Sequence, residues 1–371
     1  MRKFIYITLT AAVTFAAIQA CKKSGNDSNN GKNGSFDRKA MLTNYEKNLI
    51  LPAFASLQSK VNDLDAATIA FNAAPDATKL TTLQNAFKAA YLQWQSASPY
   101  GFGPAEQVNF RVSMNTYPTT VAQINSNITN NEYNPGLAAN FSAKGFPALD
   151  YLLFGTGADN TAILAQYTSD TQATNRKAYL GKLTAEMKTN TATVVTAWNG
   201  AYKDTFLAAD GTDVGSSAGQ LINELVKDYE TIKNGEIGIP AGVQSLGTTH
   251  PEKVQAYYSK ISVQLAVAHL TAIQNIYLGN STTEGIGLDD FLLQGAVNST
   301  GATVNSTIKA QFAASFAKLQ GLQDPLANVI QTNNAAVTAT YAELQKLTVN
   351  LKTDMTSALG ILITFGDNDG D

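Results

Sequence analysis

Residues 80–94 read LTTLQNAFKAAYLQW, and this stretch shows the pattern that decides the fold. Its large apolar residues are Leu80, Leu83, Phe87, Tyr91 and Trp94, each three or four positions after the one before. That spacing places them on one face of an α-helix, because a helix completes a turn in about 3.6 residues. The stretch therefore predicts an amphipathic helix whose apolar face packs on other helices.

The same spacing continues along most of the chain. It recurs at Tyr45, Leu49, Phe54, Leu57, Val61 and Leu64; at Leu221, Leu225, Tyr229 and Ile232; at Tyr258, Ile261, Leu265, Ala268 and Ile276; at Phe312, Phe316, Leu319 and Leu322; and at Leu344, Leu347, Leu351, Met355 and Leu362. Helix-breaking residues separate these stripes, at 74–76, 134–136, 211–219, 239–242 and 324–325. Within the first stripe, Pro52 predicts a kink or a break. Together these patterns predict an all-α fold built from helical bundles.

The composition narrows the class of protein. The 371 residues carry a net charge of −3, and no basic stretch is long enough to neutralise a run of phosphates. This argues against nucleic-acid binding. A single cysteine excludes an internal disulfide framework and a cysteine-based zinc site. Of the two histidines, His250 precedes a proline in a predicted loop. His269 lies near an apolar helix face, so we expect it to be partly buried and hydrogen-bonded rather than a metal ligand.

Residues 1–20 have the organisation of a signal peptide. Arg2 and Lys3 precede an apolar stretch over residues 4–18, which is too short to be a comfortable membrane span. No later segment has an uninterrupted apolar run of spanning length. We therefore expect export of the chain, with the remainder outside the bilayer.

The end of this leader resembles the lipobox of bacterial lipoproteins, because Ile18-Gln19-Ala20 precedes Cys21. Since Cys21 is the only cysteine of the chain, we expect it to become the lipidated N-terminus and to hold the protein on a membrane. Residues 21–35 are rich in Gly, Asn, Ser and Lys, a composition that predicts a flexible tether. An ordinary signal peptide followed by an incidental cysteine is the alternative.

Two segments of the chain echo each other. Residues 145–155 read GFPALDYLLFG and residues 285–295 read GIGLDDFLLQG. Aligned with each other, they share both flanking glycines, an aromatic residue, a pair of leucines and an aspartate, Asp150 or Asp290. A duplication would explain this match, and two similar helix starts would also produce it.

The duplication predicts two related helical bundles, over residues 36–190 and 191–371. If it holds, both segments begin helices and both leucine pairs are buried. Asp150 and Asp290 then occupy equivalent positions, where each accepts a backbone N–H or lines the crevice between the bundles.

Several stretches, in order, resemble the imelysin family of bacterial envelope proteins. They are LPAF at 51–54, WQS at 94–96, YGFGP at 100–104, MNTYP at 114–118, the segment at 145–155, YS at 258–259, GLDDFL at 287–292 and the closing ITFGDNDGD at 363–371. The resemblance covers roughly residues 40–371 and implies a helical fold of two bundles. It also implies a place in the bacterial envelope and an association with iron uptake. Founding members of the family were described as metallopeptidases.

The family segment carries a histidine and a glutamate three residues apart, which a helix places on one face where they can share a metal. In this chain the two positions are Pro147 and Asp150. Proline cannot ligate a metal, and nothing in the chain has His-Glu-x-x-His spacing. We therefore expect Asp150 to stabilise the N-terminus of its helix. A metal role for Asp150, with iron, zinc or calcium, is the alternative.

Oxygen-bearing side chains at the matching positions are the candidate ligand-binding residues: Asp150, Tyr151, Tyr117, Tyr258, Ser259 and Asp290. Carboxylates and phenols of this kind suit hard cations such as Fe³⁺ or Ca²⁺. The tail at 367–371 is similar to the start of a calcium loop but lacks the distal glutamate.

These features predict a non-catalytic, imelysin-like lipoprotein of the bacterial envelope, anchored to the outer membrane through Cys21. Its ligand, related to iron, would bind between the two bundles, with iron-uptake machinery as the partner. A metallopeptidase with altered metal ligands and a surface adhesion or scaffold protein are the alternatives.

Overall fold

Helices connected by turns and longer loops make up residues 36–280 and 283–366, the parts of the chain that the computed structural model describes. Within these two ranges there is no β-strand, and the predicted all-α fold is confirmed. These residues belong to one compact unit, and none of their helices is long and apolar enough to cross a membrane. The signal peptide, Cys21, the tether and the tail at 367–371 lie outside the described residues.

Nine helices make up the first part of the described chain, and three long ones among them form its core. The nine helices are α1 (Arg38–Asn44), α2 (Leu51–Ala73), α3 (Ala77–Ala97), α4 (Pro104–Gln107), α5 (Phe110–Met114), α6 (Val121–Asn130), α7 (Gly145–Asp150), α8 (Asn160–Thr168) and α9 (Ala173–Ala197). Helix α2 packs against both α3 and α9, since its stripe from Phe54 to Leu64 is buried. Asp76 begins α3 by accepting the backbone N–H of Lys79 at 2.8 Å.

The remaining helices pack around a second set of long elements. They are α10 (Lys203–Ala208), α11 (Ser217–Glu230), α12 (Ser262–Leu278), α13 (Leu288–Gly295), α14 (Gly301–Gln320), α15 (Leu326–Val349) and α16 (Thr356–Leu359). Helix α12 contacts α3 on one side and α14 on another, so it joins the two sets of helices. The division at residue 190 stays a prediction.

Five stretches of π-helix extend these α-helices: Tyr45–Ile50, Trp198–Tyr202, Asn350–Met355, Tyr151–Gly155 after α7 and Thr231–Gly238 after α11. A π-turn holds more residues than an α-turn, so it changes which side chains face the core. The first of these stretches leads directly into α2 and places Pro52 in the first turn of that helix. The helix thus changes type directly before Pro52, and the predicted kink or break there stays a prediction.

Both echoing segments begin helices, α7 at Gly145 and α13 at Leu288. Leu152, Leu153 and Leu292 are buried, but the prediction for Leu293 is wrong, since 53% of it is exposed. Leu153 lies in a π-turn, whose wider spacing brings two successive leucines inward, whereas α13 is regular and turns Leu293 outward. The duplication itself stays a prediction.

Candidate functional site

A narrow cleft lies between the loop that precedes α6, helix α7 and the segment at 251–260. It is lined by Tyr117, Pro118, Thr119, Pro147, Asp150, Glu252, Val254, Ala256, Tyr257 and Tyr258. Its volume is about 40 Å³, which admits a few water-sized groups or the end of a larger molecule.

Asp150 forms the inner wall of this cleft and is only 2% exposed. One carboxylate oxygen accepts the backbone N–H of Tyr258 at 2.8 Å, and the other accepts that of Ser259 at 2.9 Å. The role predicted for Asp150, stabilising the start of its own helix, is wrong. Asp150 is the last residue of α7, and it fastens a segment more than 100 residues away in the chain.

Burial raises the pKa of Asp150 to about 6, although the hydrogen bonds from Ser259 and Tyr258 favour its charged form and limit the increase. The carboxylate is therefore ionised at neutral pH and becomes protonated in mildly acidic solution. The arrangement provides a buried hydrogen-bond acceptor whose charge changes in a physiological range.

The segment fastened by Asp150 has a strained backbone. Ala256 and Lys260 have φ angles of 55° and 60°, in the left-handed region that side chains with a Cβ disfavour. Such a conformation persists only where its surroundings hold it in place. The two bonds to Asp150 lie between these residues and provide that support.

Three tyrosines form the outer part of the site. The rings of Tyr151 and Tyr258 meet edge to face with centroids 5.3 Å apart, and those of Tyr257 and Tyr258 are 5.1 Å apart. Tyr257 is 40% exposed. A Cβ at Gly155 would lie 2.4 Å from the Tyr258 ring, so the glycine allows this ring to pack on the helix.

Behind the cleft, a histidine bridges two carboxylates. His269 of α12 places Nδ1 2.8 Å from Glu236 and Nε2 2.6 Å from Asp228, and all three side chains are buried. Burial alone would lower the pKa of His269, but the charges of Asp228 and Glu236 outweigh it and raise the pKa to about 10. His269 is therefore a permanent imidazolium at neutral pH.

Arg111 of α5 completes this network with an ion pair to Asp228 and a second one to Glu224 at 3.6 Å. Burial opposes the charge on Asp228, yet Arg111 and His269 together hold the pKa of that carboxyl far below its usual range. Negative and positive side chains therefore alternate along the network, from Glu236 at one end to Glu224 at the other. These ion pairs hold α5, α11 and α12 together.

Ser98 lies 3.2 Å from His269 Nε2, and Glu236 lies on the other side of the ring, which is the order of groups in a Ser-His-acid triad. A triad needs a neutral imidazole to accept the serine proton. Here Asp228 binds the same Nε2 and keeps the ring protonated, and Ser98 is only 3% exposed. This group is structural and cannot act as a base.

Tyr117 connects the cleft with the charge network. Its ring lines the cleft, while its hydroxyl is buried near Glu236, Arg111 and Asp228, where burial and the charge of Glu236 raise its pKa. Within the described chain, neither this hydroxyl nor Oε2 of Glu236 has a hydrogen-bond partner.

The structure brings together most of the residues predicted from the sequence. Asp150, Tyr117 and Tyr258 line the cleft, Ser259 donates its N–H to Asp150, and Tyr151 packs on Tyr258.

Asp290 lies elsewhere. It accepts the N–H of Gly287 at 3.0 Å and caps the start of its own helix, α13. Both aspartates accept a backbone N–H, as predicted, but the positions are not equivalent, since Asp290 binds its own helix start and Asp150 binds a distant segment. Asp290 does not line the cleft.

Sequence reasoning missed Asp228, Glu236 and Arg111. A signal was present, because Asp228 falls three positions after Leu225 and four before Ile232, on the buried face of the predicted helix. An acidic residue on such a face indicates a buried partner of opposite charge.

A metal ion of the kind that the family motif implies does not fit these residues. Both oxygens of Asp150 are already bonded to backbone N–H groups, and Pro147 has no donor atom. Throughout residues 36–280 and 283–366, no three His, Cys, Asp or Glu side chains are grouped so that they could hold a metal. Metallopeptidase chemistry needs such a group together with an open coordination position.

The fold and the cleft together define an all-α protein in which a buried carboxylate fastens a distant, strained segment. A profile of the imelysin family matches residues 50–353, and the chain belongs to that family, as its motifs predicted.

Three relatives show how widely the sequence and fold are shared. Iron-regulated protein A of Synechococcus elongatus is 23% identical over 312 residues, which are 80% of each chain. A crystal structure from Parabacteroides distasonis, described as an iron-regulated protein A precursor, has a TM-score of 0.74 at 16% identity and covers 89% of this chain and 97% of its own. An imelysin-like protein from Psychrobacter arcticum has a TM-score of 0.67 at 20% identity and covers 88% and 97%.

Proposed function

We propose that this member of the imelysin family is a non-catalytic binding protein of the bacterial envelope that acts in the response to iron limitation. Its ligand enters the cleft between Tyr117, Asp150 and Tyr258. The lipidated Cys21 anchors the protein to the outer membrane, and iron-uptake machinery is its partner.

The contacts of Asp150 are the main support for a non-catalytic role. In the family motif the equivalent carboxylate pairs with a histidine, but here its two oxygens hold the backbone of residues 258–259. Replacement of the histidine by Pro147 removes the second ligand. The site is still an acidic cleft, but it lacks the group of metal ligands that metal-dependent hydrolysis requires.

The lining of the cleft indicates the chemistry of the ligand. Among the described residues that form it, the charged ones are Asp150 and Glu252, and both are acidic. Tyrosine and threonine hydroxyls add further hydrogen-bonding groups. A group that donates hydrogen bonds or carries positive charge is the best complement to such a lining. The association with iron is supported by the cyanobacterial relative, whose name records that iron regulates it.

Catalysis is tested with the purified full-length protein and casein, in the presence of Zn²⁺ or Fe²⁺ or of a chelator. We expect equal and negligible cleavage in all three conditions. Cleavage that requires the metal and disappears in Asp150→Asn would overturn the non-catalytic assignment.

The role in iron limitation is tested by growth of a deletion strain in medium with an iron chelator. We expect slow growth that is restored by the wild-type gene and by Leu246→Ala, which changes a fully exposed residue outside the cleft. Tyr258→Ala keeps the N–H that binds Asp150 but loses the ring, and it should fail to restore growth. Normal growth of the deletion strain would contradict the proposed role in iron limitation. Full rescue by Tyr258→Ala would contradict the proposal that the ligand binds in the cleft.

A further inference from the structure

A second, larger cavity lies on another part of the molecule and shares no lining residue with the cleft. It is a groove of about 320 Å³ between the start of α2, the end of α3 and one face of α12. That volume falls at the lower end of the range of small-molecule sites.

The groove is lined by neutral side chains alone. Four are carboxamides, namely Asn48, Gln93, Asn275 and Asn280, and four carry hydroxyls, namely Ser56, Ser96, Tyr100 and Thr271. None of the described residues that line it is charged. Asn48, Ser56 and Thr271 are exposed, so the groove is open to solvent, and its lining offers an ion no opposite charge. The groove therefore favours a neutral ligand.

Much of the hydrogen-bonding capacity of these side chains is unused. In the described part of the chain, the side chains of Gln93 and Ser96 of α3 and of Asn275 of α12 bond to no other protein group. The hydroxyl of Thr271, in contrast, donates to the carbonyl of Val267 at 2.8 Å. Asn48 uses one amide N–H, toward Asn44 at 2.8 Å, and Asn280 uses its oxygen, toward the N–H of Gly285 at 3.1 Å. Each side chain keeps at least one group to offer a ligand.

A similar hollow beside α6 provides the contrast. There the amide of Gln123 donates to Asn127 at 2.9 Å, and Asn127 donates to Asn140 at 2.8 Å. Asn140 in turn donates to the carbonyl of Asn134 at 2.8 Å. Those carboxamides stabilise their own loop, whereas in the groove only Asn48 and Asn280 are bonded in this way, and Gln93 and Asn275 are not.

The chemistry of the groove identifies the ligand class. Carboxamides and hydroxyls both donate and accept, so they complement a molecule whose own polar groups do both, as sugar hydroxyls do. The lining also includes Pro52, Ala53 and Ala272, whose aliphatic surfaces can pack against the C–H face of a sugar ring. Because the polar groups come from three elements around one cavity, they suit a compact ligand better than an extended polypeptide.

We propose that this groove binds a neutral carbohydrate of one or two sugar rings, held by Gln93, Ser96 and Asn275. The site uses no residue of the Asp150 cleft, so it does not depend on the function proposed above.

The test measures binding of the full-length protein to cellobiose, maltose, lactose and N,N′-diacetylchitobiose by calorimetry, with an array of neutral and acidic glycans beside them. At least one neutral sugar should bind. Asn275→Ala and Gln93→Ala should each weaken that binding by about tenfold, the effect of losing one or two neutral hydrogen bonds. Ala268→Trp, which fills the groove without removing a polar group, should abolish it.

Asn199→Ala is the matched control, because Asn199 is exposed, bonds only to Val195 of its own helix and lies outside the groove. Thermal melting of each variant verifies that it is folded. The proposal is overturned if no neutral sugar binds, if the groove variants bind as tightly as the control, or if a capped neutral peptide such as acetyl-Gly-Ala-Gly-amide binds in preference to every sugar.

Discussion

The burial of Asp150 disfavours the charged form of its carboxyl group. Its pKa in the folded chain is about 6, against an ordinary value of 3.8. Between these values the folded chain binds more protons than the unfolded chain does. The contribution of Asp150 to the free energy of unfolding therefore falls as the pH rises from about 4 to about 6, and it stays low at neutral pH.

Replacing Asp150 by asparagine should remove this part of the pH dependence. The parent should be more stable at pH 5 than at pH 7 through this group, by about 1–2 kcal/mol on the scale of 1.36 kcal/mol per pKa unit. Asp150→Asn should lose that difference, as measured by denaturant unfolding at several pH values. Asp76→Asn is the control, because Asp76 is an exposed helix cap with a lowered pKa and titrates below this range. An unchanged slope in Asp150→Asn would contradict the assignment.

His269 has the opposite dependence on pH. Its pKa is raised to about 10 in the folded chain from 6.5, so its stabilising effect is complete below about pH 6.5 and disappears as the pH rises through 10. His269→Gln leaves two buried carboxylates facing a neutral amide, and it should lower the free energy of unfolding at pH 6 by about 3–5 kcal/mol. Denaturant unfolding measures this loss.

The matched control for that prediction is His250→Gln. His250 is partly exposed and lies in a turn, so its replacement should change stability by less than about 0.5 kcal/mol. If both variants lose the same stability, the imidazolium bridge between Asp228 and Glu236 does not hold these helices together.

At the scale of the element, the start of α7 depends on Gly145. Its φ is +66°, and a Cβ there would lie 2.3 Å from the carbonyl oxygen of Met114. Gly145→Ala should therefore lower the free energy of unfolding by about 2 kcal/mol or more, through backbone strain and the clash. Gly181→Ala is the matched control in the middle of α9, where the nearest atom is an ordinary 3.5 Å away. It should stabilise the protein by about 0.5–1 kcal/mol. Thermal or denaturant unfolding that ranks the two variants in the reverse order would contradict this explanation.

The helices themselves could be predicted from the sequence, because each carries its own apolar periodicity. The stripe from Leu80 to Trp94 lies within α3, and Leu221 to Tyr229 lies within α11. The π-turns could not be predicted, since a single wider step in an apolar stripe cannot be told from the ordinary variation between spacings of three and four residues. For that reason nothing in the sequence distinguishes Leu153, which is buried, from Leu293, which is exposed.

At the scale of the whole molecule, the candidate site was only partly predictable. The tyrosines and Asp150 were found through family motifs that are local in the sequence. The bonds from Asp150 to residues 258–259 and from Asp228 to His269 join positions 108, 109 and 41 residues apart. No local pattern specifies such pairs, because they result from how whole helices pack.

The proposed attachment of the protein to a membrane depends on Cys21, which lies outside the described residues. Cys21→Ser should prevent lipidation, so that the protein appears in the soluble fraction or remains as an unprocessed precursor. Membrane fractionation and labelling with a radioactive or clickable fatty acid measure this. Unchanged labelling in Cys21→Ser would show that the cysteine is incidental.

The bonds between Asp150 and the backbone of Tyr258 and Ser259 also have a consequence for solvent exchange. Amide protons in a turn normally exchange quickly with water, but these two should exchange slowly, like those inside a helix. Their exchange rate reports how often the segment leaves the carboxylate. Deuterium uptake at these two amides thus follows the opening of the cleft in solution, and a molecule that occupies the cleft would reveal itself by slowing that uptake.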